Sequence, residues 1–237
     1  MVDTPRASIE LERFAWLPVL EEREDSPSVS KFHGTPFLSS PWPVCQSCAE
    51  PMLFLLQLKI SELPVVPPGW LSAPEFELHR EHGLIQIFNC VEPECALKTG
   101  DPYCGANYTA LSYTWSTSYQ TAARPGHAAI APERVVVGWT KCTDRPSKET
   151  LLELDLEPST DDLQVISQSH LRVNKLLGWP TSLACVDQPC CHLCGTKMTF
   201  LFQLTDLPVG ENDAVGFLFV CPDHPNAAFA WGTTQRV

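Results

Sequence analysis

The chain has 237 residues, is 44% apolar and carries a formal charge of -12 from 16 basic and 28 acidic side chains. That apolar share is normal for a chain that folds around a core, and it excludes a disordered protein. The acidic balance disfavours nucleic acid as a partner, because phosphate binding needs clustered Lys and Arg, and no run approaches the roughly 20 apolar residues of a membrane span.

Two further totals set expectations. Eleven cysteines is a high and odd count, and the N-terminus lacks a basic start followed by an apolar run. Absence of a secretion signal predicts a cytoplasmic setting. In that reducing setting such enrichment points to metal binding before disulfides. The 22 prolines cut the chain into short segments and favour strands and ordered loops over long helices.

Residues 1–28, rich in Glu and Pro, read as a surface lead-in, with Phe14-Ala15-Trp16-Leu17 as a strand-forming piece. A first repeat half follows over 29–115. It opens on Lys31-Phe32-His33-Gly34-Thr35-Pro36 and continues to Cys45-Gln46-Ser47-Cys48, Met52, the run Leu53-Phe54-Leu55-Leu56 and Gln57. A second apolar run, Leu84 to Asn89, ends at Cys90, with Cys95 five positions on, and Tyr113-Thr114-Trp115 closes the half. Residues 116–172 read as connecting strands, the strongest being Arg134 to Thr140. The acidic stretch Glu149 to Asp162 fits a helix or an edge strand.

The second repeat half, 173–237, restates the first at an offset of about 145 residues. Lys175-Leu176-Leu177-Gly178-Trp179-Pro180 keeps Lys, Gly and Pro in place, and Cys191-His192-Leu193-Cys194 leads without a gap to Met198 and Gln203. The runs Thr199 to Phe202 and Val215 to Val220 match the two earlier ones. Cys221 and His224 follow, and Phe229-Ala230-Trp231 closes the copy. The fold expected is mainly β (α+β), internally duplicated. Two pseudo-symmetric halves, each with a zinc-ribbon-like β-hairpin, pack as one domain.

In each half one ligand pair precedes the first apolar strand and another follows the second. Antiparallel pairing of those strands brings the two pairs together, and two intervening residues let the backbone curl so that both sulfurs reach one ion. Two structural zinc ions are therefore expected, one on Cys45, Cys48, Cys90 and Cys95, the other on Cys191, Cys194, Cys221 and His224. Cys142 and Cys185 read as small apolar residues, while Cys104 and Cys190 lie near the two sites. Each Cys-x-x-Cys precedes a strand rather than opening a helix, unlike a thioredoxin-type motif.

No phosphate-binding loop, nucleophile elbow or His-Glu-x-x-His occurs, so no catalytic residue is assigned. The repeated Lys-x-x-Gly-x-Pro has a structural account, a tight turn fixed by proline. The other account is a cleft between the halves lined by Lys31, Gln57, Lys175 and Gln203, which present polar groups to a peptide or small ligand.

The string from Lys31-x-x-Gly34-x-Pro36 through Trp42-Pro43-x-Cys45-x-x-Cys48, Pro51-Met52 and Gln57 resembles the YwqG-like family, a bacterial domain-of-unknown-function family. So does the set Gly178-Trp179-Pro180, Cys191-x-x-Cys194, Met198, Gln203-Leu204 and Cys221-Pro222-Asp223-His224-Pro225 through Trp231. The resemblance implies a duplicated β fold, with cysteines kept in some members and lost in others, and no proven reaction. Its genes often adjoin secreted toxin systems, which implies a toxin-neutralising immunity protein, and an acidic surface suits a basic toxin. A weaker resemblance, confined to the cysteine-framed hairpins, runs to the programmed-cell-death-2 zinc-binding proteins. The expected function is a non-enzymatic, zinc-stabilised protein-binding module, an immunity protein or adaptor. The alternative is a metal-dependent hydrolase or small-ligand enzyme using the cleft.

Overall fold

Strands form where apolar, aromatic or β-branched runs are bounded by turn formers. In chain order they are β1 (Arg13–Glu21), β2 (Lys31–Phe32), β3 (Phe37–Leu38), β4 (Leu53–Lys59), β5 (Leu84–Asn89), β6 (Thr109–Thr114), β7 (Gln120–Thr121), β8 (Arg134–Asp144), β9 (Lys175–Leu177), β10 (Thr199–Leu204), β11 (Ala214–Val220) and β12 (Ala227–Thr233). Among the described residues a 3-10 turn (Ile60–Glu62) follows β4 and an α-helix, α1 (Lys148–Glu153), follows β8. The structure is a computed structural model. It describes residues 11–22, 29–38, 41–45, 48–66, 83–90, 109–114, 120–121, 131–153, 173–181, 188–205, 214–223 and 227–233.

The architecture is mainly β and antiparallel. Ten strands form one sheet in the order β12-β11-β10-β9-β1-β8-β2-β4-β5-β6, with β3 and β7 as a separate ribbon. The sheet curls, bringing its edge strands β6 and β12 close to each other. Read inward from either edge, the order is a three-stranded meander, a short strand and a long central strand. The two central strands pair from Arg13↔Asp144 to Glu21↔Val135, with a bulge between Val19 and Leu20.

The strand expected at Phe14–Leu17 forms as part of β1, and its place between β9 and β8 at the middle of the sheet corrects the reading of that part of the segment as a surface lead-in. Flanking Glu and Pro dilute a nine-residue strand in any average over that segment. The acidic stretch after β8 begins as a helix. Ser147 caps α1 by accepting from the Thr150 N–H at 3.1 Å, and the described part ends at Glu153.

The runs in β4, β5, β10 and β11 are almost continuously apolar because both of their faces are covered. One face feeds a core drawn from both halves, with Phe32, Leu56, Leu58, Ile85 and Ile87 packed with Leu176, Phe202, Leu204, Leu218 and Val220. The other face carries a smaller cluster in each half. Leu38, Cys45, Met52, Phe54 and Phe88 form one; Cys191, Met198, Phe200, Val215, Phe217, Phe219 and Cys221 form the other.

A bulge at the same point of β4 and β10 makes this possible. The pairing slips between Phe54 and Leu56 and again between Phe200 and Phe202. Residues three apart in a regular strand face opposite ways; one extra residue puts them on the same side. Phe54 and Gln57 thus share a face, as do Phe200 and Gln203.

Candidate metal centre

Each Cys-x-x-Cys closes a tight turn of the same construction. In the first, Val44 bridges Pro51, the Cys45 N–H donates to Glu50 O at 2.9 Å, and the Ala49 N–H donates back to Cys45 O at 2.8 Å. In the second, Cys190 bridges Lys197, the Cys191 N–H donates to Thr196 O at 2.9 Å, and the Gly195 N–H donates to Cys191 O at 2.8 Å. The residue after the second cysteine is left-handed in both, Ala49 at φ 61° and Gly195 at φ 73°. This conformation turns the second thiol back beside the first, and glycine adopts it without strain.

The hairpins deliver the third thiol. β4 and β5 pair from Leu53↔Asn89, so Cys90 leaves the sheet where the first turn enters it. Thr199↔Val220 does the same for Cys221. The sulfurs of Cys45, Cys48 and Cys90 lie within 4.8 Å of one another, as do those of Cys191, Cys194 and Cys221. Cys48 and Cys90 Sγ are 3.6 Å apart and Cys194 and Cys221 Sγ 3.7 Å. A disulfide holds its sulfurs at about 2.05 Å. Thiolates at about 2.3 Å around a tetrahedral zinc stand about 3.8 Å apart. The spacing fits the second geometry. Three soft sulfur donors around one point suit zinc, copper(I) or an iron–sulfur unit, and not magnesium or calcium. The Asp223 N–H points at Cys221 Sγ at 3.4 Å, a contact that favours a thiolate.

Six of the eight expected ligands are thus brought together as two triads. Cys95 and His224 lie outside the described residues, as do Cys104 and Cys185. Cys190 is exposed, and Cys142, half-buried on β8, sits 3.6 Å from Ala15 O with its thiol pushed above its ordinary range by burial and the nearby Asp144.

The surroundings of the two triads differ. Trp42 packs against the apolar cluster that holds Cys45, its ring edge-on to Phe88 with centroids 5.7 Å apart and its Nε1–H donating to Met52 O at 2.9 Å. Gln188 occupies the matching place in the second half and donates from Nε2 to Met198 O at 2.7 Å. The same backbone carbonyl is capped by an indole in one half and by an amide in the other. Cys194 is exposed together with its neighbours His192, Leu193, Gly195, Thr196 and Lys197, whereas Cys48 is half-buried.

Lys31, Gln57, Lys175 and Gln203 lie inside the fold, the most accessible being Lys31 at 5%. Lys31 pairs with Gln57 across β2 and β4, and Lys175 with Gln203 across β9 and β10. Gln57 accepts from the Phe37 N–H at 2.9 Å and donates to Val29 O at 2.7 Å; Gln203 accepts from the Thr181 N–H at 2.7 Å and donates to Val173 O at 3.0 Å. Each glutamine therefore clamps the chain on both sides of the Lys-x-x-Gly-x-Pro turn. These placements correspond to the structural account of the motif and leave none of the four side chains at an open cleft.

The turns also explain the lysines. Lys31 Nζ meets Glu133 Oε2 at 3.0 Å, and the Thr35 N–H donates to the same oxygen at 3.1 Å. Lys175 Nζ meets Asp144 Oδ2 at 2.8 Å, and the Trp179 N–H joins it at 2.8 Å. His33-Gly34 and Leu177-Gly178 are consecutive left-handed pairs. A Cβ on either glycine would strike the carboxylate in its turn. Burial drives the Lys175 ammonium below its ordinary range against the pull of Asp144. His33 is pushed down to about 4 by burial, with Arg134 adding to the effect. Glu133 and Asp144 are the residues that sequence reasoning missed, because neither belongs to the repeated motif.

No family model matches the chain, and no curated protein matches it. Among the described residues no helix is long and apolar enough to cross a membrane.

Proposed function

We propose that this protein is a non-catalytic binding scaffold stapled by two structural zinc ions, one at each thiol triad. The observation that carries the reading is the pairing of two triads on turns with the same hydrogen bonds, each set where a hairpin's ends converge. Zinc supplies a tetrahedral cross-link between turn and hairpin. Cys45, Cys48 and Cys90 would hold one ion with Cys95 as fourth ligand; Cys191, Cys194 and Cys221 would hold the other with His224. Two filled tetrahedra leave no vertex for water, which is the condition of a structural site. The rival enzyme reading loses support because the four side chains meant to line its cleft are buried in turn clamps.

The partner we propose is a basic protein. The charge of -12 favours such a surface. The resemblance to the YwqG-like family narrows the role to a toxin-neutralising immunity protein or adaptor working in the cytoplasm. Exposed Phe14, Val19 and Val137 on the central strands supply apolar contact area.

Metal analysis of the purified full chain by emission spectroscopy tests the zinc assignment. Two zinc per chain are expected, and Cys194→Ser should remove one of them. Unchanged zinc in that variant would refute the second site, and a metal-free protein would refute both.

A further inference from the structure

Zinc leaves a thiolate site when an incoming ligand reaches the ion and one protein thiolate swings out into water. The rate therefore depends on the most accessible ligand rather than on the average one. In the first triad Cys45 is buried and Cys48 and Cys90 are half-buried, and all three belong with Trp42 to the apolar cluster around Phe88. In the second, Cys191 and Cys221 are buried, yet Cys194 is exposed at the tip of a turn whose every residue from His192 to Lys197 is exposed.

Two details sharpen the contrast. Gly195 follows Cys194 in the left-handed region, and a Cβ there would find nothing within 4 Å, so open space lies beside that position. Gln188 caps Met198 O where Trp42 caps Met52 O, so a polar amide stands beside the second turn where a bulky indole stands beside the first. Groups beyond the ligands commonly change metal affinity by about 10- to 100-fold.

From this contrast we infer that the two metal sites differ in kind. Cys45, Cys48 and Cys90 hold a permanent ion. Cys191, Cys194 and Cys221 form an exchangeable site, from which zinc passes to an external thiol-bearing or chelating acceptor and to which it returns. The inference rests on the zinc reading above and adds a regulatory role for the second half. Transfer is a ligand exchange without net redox change: each zinc–sulfur bond broken in the protein is replaced by a bond to the acceptor, and each freed thiolate takes a proton from water.

The test is release of zinc from the full chain to an excess of the chromogenic chelator 4-(2-pyridylazo)resorcinol, after zinc content has been measured. Two phases of equal amplitude are expected, the faster at least about tenfold quicker. Cys194→Ser should abolish the fast phase alone. Two substitutions that keep every ligand guard against loss of folding: Gln188→Trp should slow the fast phase, and Trp42→Gln should quicken the slow one. A single phase from a protein holding two zinc ions overturns the inference, as does a fast phase that survives Cys194→Ser, or rates that neither exchange of cap moves. A preparation that binds no zinc instead overturns the reading beneath it.

Discussion

Asp144→Ala should be far more damaging than Glu133→Ala, although the two carboxylates hold equivalent turns. The Lys175 and Asp144 side chains are 1% and 0% exposed, whereas Glu133 is 31% exposed. Removing Asp144 strands an ammonium in the interior and leaves the Trp179 N–H without its acceptor. Breaking one partner of a buried pair costs about 3–5 kcal/mol. Removing Glu133 lets water reach Lys31 through the opening, and a partly exposed pair is worth about 1 kcal/mol or less. Urea unfolding of the two variants should therefore differ by about 3 kcal/mol. Adding Lys175→Met to Asp144→Ala should recover much of the loss, because the stranded charge goes with it. Equal losses from the two alanine variants, or no recovery in the double variant, would refute this account of the clamp.

His33 should make the protein acid-sensitive. Its native value of about 4 lies below the ordinary 6.5, so between those values the unfolded chain binds a proton that the native chain refuses, and stability falls as pH drops. The loss approaches about 3 kcal/mol at the lower end. His33→Leu copies Leu177, which holds the equivalent left-handed position at φ 58°, and should flatten the melting temperature between pH 6.5 and 4 relative to wild type; an unchanged slope counts against the assignment. Gly178→Ala should destabilise by at least about 2 kcal/mol, because the added methyl meets Ala15 Cβ at 2.9 Å as well as the Asp144 carboxylate, in a left-handed backbone. Gly138→Ala, with nothing within 4 Å, should be neutral or stabilising by about 0.5–1 kcal/mol. Reversal of that order in thermal melts would contradict the geometry.

Much of the fold was legible because its strands coincide with apolar runs. Leu53-Phe54-Leu55-Leu56 and Thr199-Phe200-Leu201-Phe202 became β4 and β10, paired with the runs expected beside them. The cysteine triads were legible for the same reason: once the hairpins pair, ligand spacing leaves little freedom. Glu133 and Asp144 were not, since they reach the turns from opposite ends of β8, and no local spacing encodes a contact across 102 or 31 residues. The place of β1 was hidden likewise. A central strand needs partners on both sides, and these come from β8 and β9, more than a hundred residues away. The bulges left no mark either, because in a run of consecutive leucines and phenylalanines a slip of one residue changes the face without changing the composition.

The two halves place their exposure in opposite places. The first has a partly open ion pair and buried or half-buried thiols; the second has a sealed ion pair and an exposed thiol. This inversion matters if the second site exchanges its metal. Local opening follows the least-supported contacts. With zinc gone, the end of the hairpin at Thr199 and Val220 loses its cross-link. The other end stays tied by Lys175–Asp144 and by the grip of Gln203 on the chain at Val173 and Thr181. Chelation at the second site should therefore raise amide hydrogen exchange at Met198, Thr199 and Val220 while Leu176 and Gln203 keep their protection. The central strands would then act as a firm base on which the metal-bearing end loosens and re-forms. Equal loss of protection along the whole of β9 and β10 would show instead that zinc, rather than the buried ion pair, anchors the second half to the sheet.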